Sequence, residues 1–295
     1  MSKPIVELKQ LTKTYGKSRG ITDISFAIEE GEVFGFIGPN GAGKSTTIRT
    51  LLNFVFPTSG SASILGLDIA KDAKEIRKHI GYLPSEVFYY DDMKVTDLLQ
   101  YSAAFYGRKN PDRIAKLAER LDLDTSRKIE DLSFGNRKKV GIVQALLHEP
   151  KLLILDEPTG GLDPLMQHTF FELLKEERAN GTTIFFSSHI LGEVQKMCYR
   201  VAIIKDGSLI KVESVEQLLK NNLKNITLTA SRPEELQLPQ LSGIIKQETA
   251  GTHVKLLYGG NMKELVQGLA DCAFTDILIE EPSLEEVFMH YYEKK

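Results

Sequence analysis

Nine consecutive residues carry the chemistry that can be read first: Gly38, Pro39, Asn40, Gly41, Ala42, Gly43, Lys44, Ser45 and Thr46. Their spacing is that of a nucleotide-phosphate loop, G-x-x-x-x-G-K-[ST]. Phosphate oxygens need donors, and only a chain with few bulky side chains can wrap its own amides around them. Gly38, Gly41 and Gly43 permit that approach and the positive φ it requires. A helix starting near Lys44 adds the positive end of its dipole. Lys44 would neutralise the β- and γ-phosphates, and Ser45 would present its hydroxyl to Mg²⁺. Asn40, Ala42 and Thr46 complete the nucleotide-binding set of the loop. On these residues alone the chain binds ATP or GTP.

A second set supplies carboxylates and a possible base. The apolar run 152–155 ends in Asp156 and Glu157. Beside a phosphate loop, Asp156 would hold Mg²⁺ with Ser45, and Glu157 would face the water that attacks the γ-phosphate. His189 follows another apolar run, 183–186, which should lie next to the strand carrying Glu157. A histidine there either closes the strand or touches the γ-phosphate. Ser133 and Gly135 open a helix, where they either cap it or offer an anion site. Tyr15 either packs on the surface or stacks on a purine.

These groups need a scaffold that brings distant segments to one edge. The first ~210 residues alternate short apolar runs with helical segments, which argues for an α/β layered core. Expected strands are 6–8, 24–28, 33–37, 61–65, 80–83, 152–155, 183–187 and 201–205. Several lack polar alternation, as strands buried on both faces do. Between 96 and 147 the spacing turns helical, over 96–106, 111–121 and 135–147. This predicts an inserted helical subdomain at about 88–148, with Thr96 as an N-cap and Pro111 at a helix start. The basic run Arg137, Lys138 and Lys139 reads as a solvated helix face.

After residue 215 the pattern changes. A polar helix or linker at 217–225 leads to strand-like runs at 226–229, 243–247, 254–257 and 277–279 around a helix at 262–270. A last helix opens at Ser283 with the capping box Ser283 and Glu286. The expected organisation is an ATPase domain at 1–215 and a small α+β accessory domain at 216–295, the latter a structural or dimer-forming cap.

Composition narrows the classes further. The 295 residues are 42% hydrophobic and 26% charged, with a net charge of −3. That balance gives no field to steer the chain toward nucleic acid or anionic lipid. Two cysteines far apart argue against a disulfide framework. No apolar run approaches the roughly 18 residues of a membrane span, and the first residues offer no leader peptide. A cytosolic chain is expected, with any membrane role reached through a partner.

Taken in order, these elements resemble the ATP-binding subunit of an ATP-binding-cassette (ABC) transporter over residues 1 to about 215. The resemblance rests on 38–46 (Walker A), 132–136 (signature), 152–157 (Walker B), 161–163 (D-loop) and His189 (switch histidine). The tail 281–288 resembles the drug- and peptide-efflux branch. The resemblance implies a P-loop NTPase fold with an inserted helical subdomain, ATP with Mg²⁺, and two cassettes closing head to tail. It implies that Ser133, Gly135 and Asn136 meet the nucleotide held by the partner's loop. Gly161 and Asp163 would link the two sites, and the helical insert would grip a separate membrane permease at the cytoplasmic face. Glu157 and His189 become the catalytic pair, Tyr15 the purine platform. Two positions depart from the family. Its Q-loop glutamine is Ser85, which stays among the metal-facing positions but would act through a water or Glu86. The second signature glycine is Phe134, and the signature glutamine is Asn136. Alternative classes are a regulatory or immunity cassette that signals by binding ATP, and a translation or repair cassette. The single phosphate loop and the lack of a heptad run disfavour the last.

Overall fold

Strands that are apolar on both faces need cover on both, and they stand together toward one end of a ten-stranded sheet. The computed structural model describes residues 3–16, 18–107, 110–219, 223–231, 243–270, 272–283 and 285–288. Two compact units divide the chain, the first ending at Val212 and the second starting at Glu213. Chain order begins with β1 (Val6–Tyr15), β2 (Ser18–Ile28), β3 (Val33–Ile37), α1 (Lys44–Leu51), β4 (Ser59–Ile64) and β5 (Leu67–Asp68). Next come α2 (Ala73–Arg77), β6 (Ile80–Leu83), α3 (Val95–Phe105), α4 (Pro111–Arg120), α5 (Phe134–Leu146) and β7 (Leu152–Asp156). Then follow α6 (Pro164–Ala179), β8 (Thr183–Ser188), α7 (Leu191–Met197), β9 (Arg200–Lys205) and β10 (Ser208–Ser214).

The sheet order is β5-β4-β1-β2-β10-β9-β3-β8-β7-β6. Neighbours in the run β9-β3-β8-β7-β6 are parallel, so their carboxyl ends share one edge. β1 pairs antiparallel with β2 and β4. Every residue of β3, β7 and β8 is buried, and each large apolar side chain so enclosed contributes about 1.5–3 kcal/mol. Phe26, Phe34, Phe36 and Phe185 form the aromatic centre, with ring centroids 5.2 Å apart for Phe26 and Phe34.

Helices α3, α4 and α5 lie consecutively between β6 and β7. Asn110 caps α4, accepting from the Arg113 amide at 3.2 Å, with Pro111 in the first turn. Thr96 does not cap α3; Lys94 holds that position. The reason is that carbonyls of the segment between α4 and α5 already serve the first-turn amides. Val95 donates to Arg127 O and Thr96 to Thr125 O, both at 3.0 Å, so no hydroxyl cap is needed. The basic run is also corrected: Lys138 is 0% and Lys139 9% exposed. In α5 only Arg137 of the three keeps partial exposure, facing Asp91 at 3.4 Å.

Close packing of α5 on β6 fixes the carboxyl-terminal end of that helix against the sheet. A Cβ at Gly81 would lie 2.1 Å from Ala145 O, a distance only a backbone shift can relieve. Gly81→Ala is therefore expected to destabilise the chain by about 1–3 kcal/mol, read as a lower midpoint in urea unfolding. An unchanged midpoint would mean that α5 can move away from the sheet without cost.

The second unit holds α8 (Val215–Leu219), β11 (Lys224–Thr229), β12 (Ile244–Ala250), β13 (His253–Tyr258), α9 (Met262–Leu269) and β14 (Asp276–Glu280). The polar helix expected over 217–225 is thus the shorter α8, and β11 starts within that range. Its antiparallel sheet has the order β12-β13-β11-β14. Alternate residues Ile226, Leu228, Val254, Leu256 and Tyr258 pack with Leu265 and Leu269 of α9. Ser283 and Glu286 do form the reciprocal capping pair, Ser283 N donating to the Glu286 carboxylate at 2.8 Å.

Among the described residues, no helix is long and apolar enough to cross a membrane.

Candidate functional site

The carboxyl ends of β3, β8 and β7 sit side by side, in register Ile37–Ser188 and Asp156–Ser187. This brings the loop after β3, the turn after β8 and the acid pair after β7 together, as the strand-end crevice of an open α/β sheet should.

Residues 38–43 run from β3 into α1. Gly41 and Gly43 adopt φ 79 and 111, a region that favours glycine. Gly38 is required by space, since a Cβ there would meet Ile204 O at 2.5 Å. Gly43 stands at the N-cap of α1 with no side chain capping it, so first-turn amides of α1 are left to an outside acceptor. That is the cradle a phosphate chain fits. Asn40 and Gly41 are exposed, Ser45 and Thr46 half-buried, and Ala42 buried.

Lys44 is only 4% exposed. Its Nζ donates to Gly38 O at 2.7 Å and Pro39 O at 3.1 Å, and lies 3.1 Å from Glu157 Oε1. The other oxygen of Glu157 is 3.3 Å from His189 Nδ1. The structure thereby joins three residues read separately from the sequence. Asp156 is buried at the end of β7 and accepts from Ser187 Oγ at 2.7 Å. Ser187 also receives the Glu157 amide, on its backbone oxygen at 3.1 Å and its hydroxyl at 3.3 Å. The turn carrying His189 is held by Ser188, whose hydroxyl donates to Glu193 at 2.9 Å and accepts from the Ile190 amide at 2.9 Å.

Among the described residues there is no group of three or more His, Cys, Asp or Glu side chains able to hold a metal. An ion here would need phosphate oxygens and water beside Ser45 and Asp156, the oxygen-rich, protein-poor shell that Mg²⁺ takes. The donor set fits Mg²⁺ in that form. Ser85 is half-buried, and the contact its segment makes runs through its backbone oxygen, which accepts from Lys138 at 2.9 Å.

Ser133 caps α5, its hydroxyl accepting from the Asn136 amide at 3.3 Å. Ser133 and Phe134 are exposed and Gly135 and Asn136 half-buried. This segment packs on its own chain's 161–163 turn: a Cβ at Gly161 (φ 83) would lie 2.3 Å from the Phe134 ring, and one at Gly135 would lie 2.7 Å from Gly161 O. Asp163 caps α6 by accepting from the Met166 amide at 2.9 Å. Tyr15, at the end of β1, is 42% exposed with Lys13 Nζ 5.1 Å from its ring. The same hairpin brings Ile21 to within contact of Gly43.

Sequence reasoning missed Ser187 and Lys138. The first has no signal beyond its place two residues before His189. The second had one, because 138, 142 and 145 recur at helical spacing on the buried side of α5.

Residues 21–160 match the ABC transporter family. The bacitracin transport ATP-binding protein BcrA of Bacillus licheniformis is 36% identical over 233 residues, 77% of this chain and 75% of its own. The Nod factor export ATP-binding protein I of a Rhizobium species is 30% identical, covering 98% of this chain and 97% of its own. Among solved structures, that titled as the dimeric structure of MJ0796, a bacterial ABC transporter cassette, is similar with a TM-score of 0.65 and 25% identity. It covers 71% of this chain and 98% of its own.

Proposed function

This chain belongs to the ABC transporter family as an ATP-binding subunit, and on that premise we propose that it hydrolyses ATP to drive export through a separate membrane permease. The observation that carries the proposal is the contact of Glu157 with both Lys44 and His189 at the mouth of the phosphate loop. Lys44 would exchange Glu157 for the β- and γ-phosphate oxygens when ATP enters, since both are anionic partners for one ammonium. The freed Glu157 carboxylate then accepts a proton from, or orients, the attacking water. His189 stabilises charge on the γ-phosphate side and keeps Glu157 aimed. Bound Mg²⁺, held by Ser45 and Asp156 with Ser85 facing it through water, would supply Lewis-acid neutralisation of the phosphates.

One cassette leaves the outer face of the nucleotide open. Ser133 and Phe134 are exposed at a capped helix start, with Gly135 and Asn136 half-buried behind them, and this segment would close over ATP held by a second cassette, identical or a sibling. The contact of Phe134 with Gly161 would pass that closure to Asp163 and so between the two sites. Tyr15 would cover the purine. Export is favoured by the relatives that carry transport and export in their names. The subunit would work at the cytoplasmic face of the cell membrane, held there by the permease through the α3–α5 insert, and with no nucleic-acid partner.

The tagged full chain, purified from solubilised membranes of its own cells, is expected to bring down a polytopic membrane protein and to hydrolyse ATP. Recovery with ribosomes or DNA instead would overturn the transport assignment. A regulatory reading draws on Ser85 and Phe134, which replace the residues the family uses; tight ATP binding without turnover would establish it.

A further inference from the structure

Lys138 takes no part in the chemistry above, yet its side chain is fully enclosed. Its Nζ donates to Pro84 O at 2.9 Å, Ser85 O at 2.9 Å and Glu157 O at 3.3 Å. An ammonium has three donors and no acceptor, so its whole hydrogen-bonding capacity goes to main-chain oxygens. These come from two segments far apart in sequence: the one after β6 and the turn after β7. A buried charge is tolerated only when so satisfied. Burial draws the Lys138 pKa down to about 8, against the opposite pull of Asp156 and Glu157.

The turn it grips is strained. Glu157 has φ 48, the left-handed region that side-chain-bearing residues rarely occupy. Such a conformation persists only where the surroundings over-determine it. Here the amide of Glu157 is held by Ser187 and the carbonyl by Lys138. That turn is what swings the carboxylate back toward Lys44 and His189. Ser85, for its part, is anchored through its main chain rather than by a long side chain.

We propose that Lys138 is a positioning residue for hydrolysis: it clamps the main-chain oxygens of Pro84, Ser85 and Glu157, holding Glu157 in its left-handed turn. Through it the start of α5 and the Ser85 segment are mechanically tied to the carboxylate that faces the attacking water. This rests on the role of Glu157 stated under the proposed function. A movement of either segment then shifts Glu157 without touching the nucleotide.

The test compares Lys138→Met, which keeps the stem and removes the donors, with Lys138→Arg, which keeps cationic donors. The wild type, Glu157→Gln and the Glu157→Gln/Lys138→Met double variant run alongside. Lys138→Met is expected to lose about 10- to 100-fold in kcat, with the KM for ATP and the thermal midpoint nearly unchanged. Lys138→Arg should recover most of the loss. The double variant should be no slower than Glu157→Gln alone, because a misplaced amide costs nothing further. Amide hydrogen exchange in 157–161 should quicken in Lys138→Met even without ATP. If that variant does not fold, Lys138→Leu, which also removes the donors, carries the same comparison.

Unchanged kcat and exchange in the folded Met or Leu variant overturn the clamp. So does a loss of activity that tracks the unfolded fraction, or a double variant whose losses multiply. An inactive wild type or a fully active Glu157→Gln instead removes the catalytic role of Glu157, and the clamp falls with it. An active wild type, an inactive Glu157→Gln and an unaffected Lys138→Met sink the clamp alone.

Discussion

Replacing Glu157 with glutamine is expected to cut steady-state ATP hydrolysis by about 100-fold or more while ATP binding stays intact or tightens. The amide fills the space of the carboxylate but cannot take a proton from water. It also removes a negative charge that lies 3.1 Å from Lys44 Nζ, so the lysine no longer has to leave an anion to reach the phosphates. ATP should then hold two cassettes closed, seen as a dimer by size-exclusion chromatography with ATP and a monomer without it. Turnover equal to wild type would remove Glu157 from its assigned role. Loss of turnover together with loss of ATP binding would place Glu157 in binding instead.

Lys44→Met should act at the earlier step. A hydrogen bond to a charged group is worth about 1.5–3 kcal/mol, so ATP affinity should fall about 10- to 150-fold. Methionine keeps the aliphatic stem, so the buried site beneath the loop stays filled. The carbonyls of Gly38 and Pro39 lose the donor they accept from, but a buried ammonium is removed with it. Folding stability should therefore change far less than affinity. Equilibrium binding of a fluorescent ATP analogue reads the first and thermal unfolding the second. An unchanged Kd would mean that the loop amides alone carry the phosphates.

The parts of this site that are local in sequence were open to reading, and those that depend on distant pairing were not. The loop 38–46 declares itself because its function needs glycines at set intervals, and β3 and β6 have the bounds expected, their apolar runs ending in glycine or proline. β1 and β2 extend beyond their apolar stretches because antiparallel partners with one exposed face need only alternate apolar residues. β10 escaped for a related reason: none of its residues is fully buried, so it carries little hydrophobic signal. The cap at Thr96 failed because carbonyls from residues 125–127 do the work a hydroxyl would. Three adjacent cations suggest a wet face, whereas the helix turns Lys138 and Lys139 inward and leaves only Arg137 partly exposed. That Glu157 touches both Lys44 and His189 could be anticipated from strand order. That Ser187 braces Asp156 could not, since it follows from a register of two strands separated by a whole helix.

The order of strands also governs when this enzyme can come into being during its synthesis. β3, which leads into the phosphate loop, is flanked by β8 and β9, and both leave the ribosome long after it. Until residue 188 has emerged, the strand before the loop has neither neighbour, and until residue 205 it has only one, so the nascent chain carries an apolar ribbon that is not fully flanked. Ligand capture therefore begins late in translation and all at once, and a message truncated before β9 yields a product with every phosphate-loop residue and no place to put them.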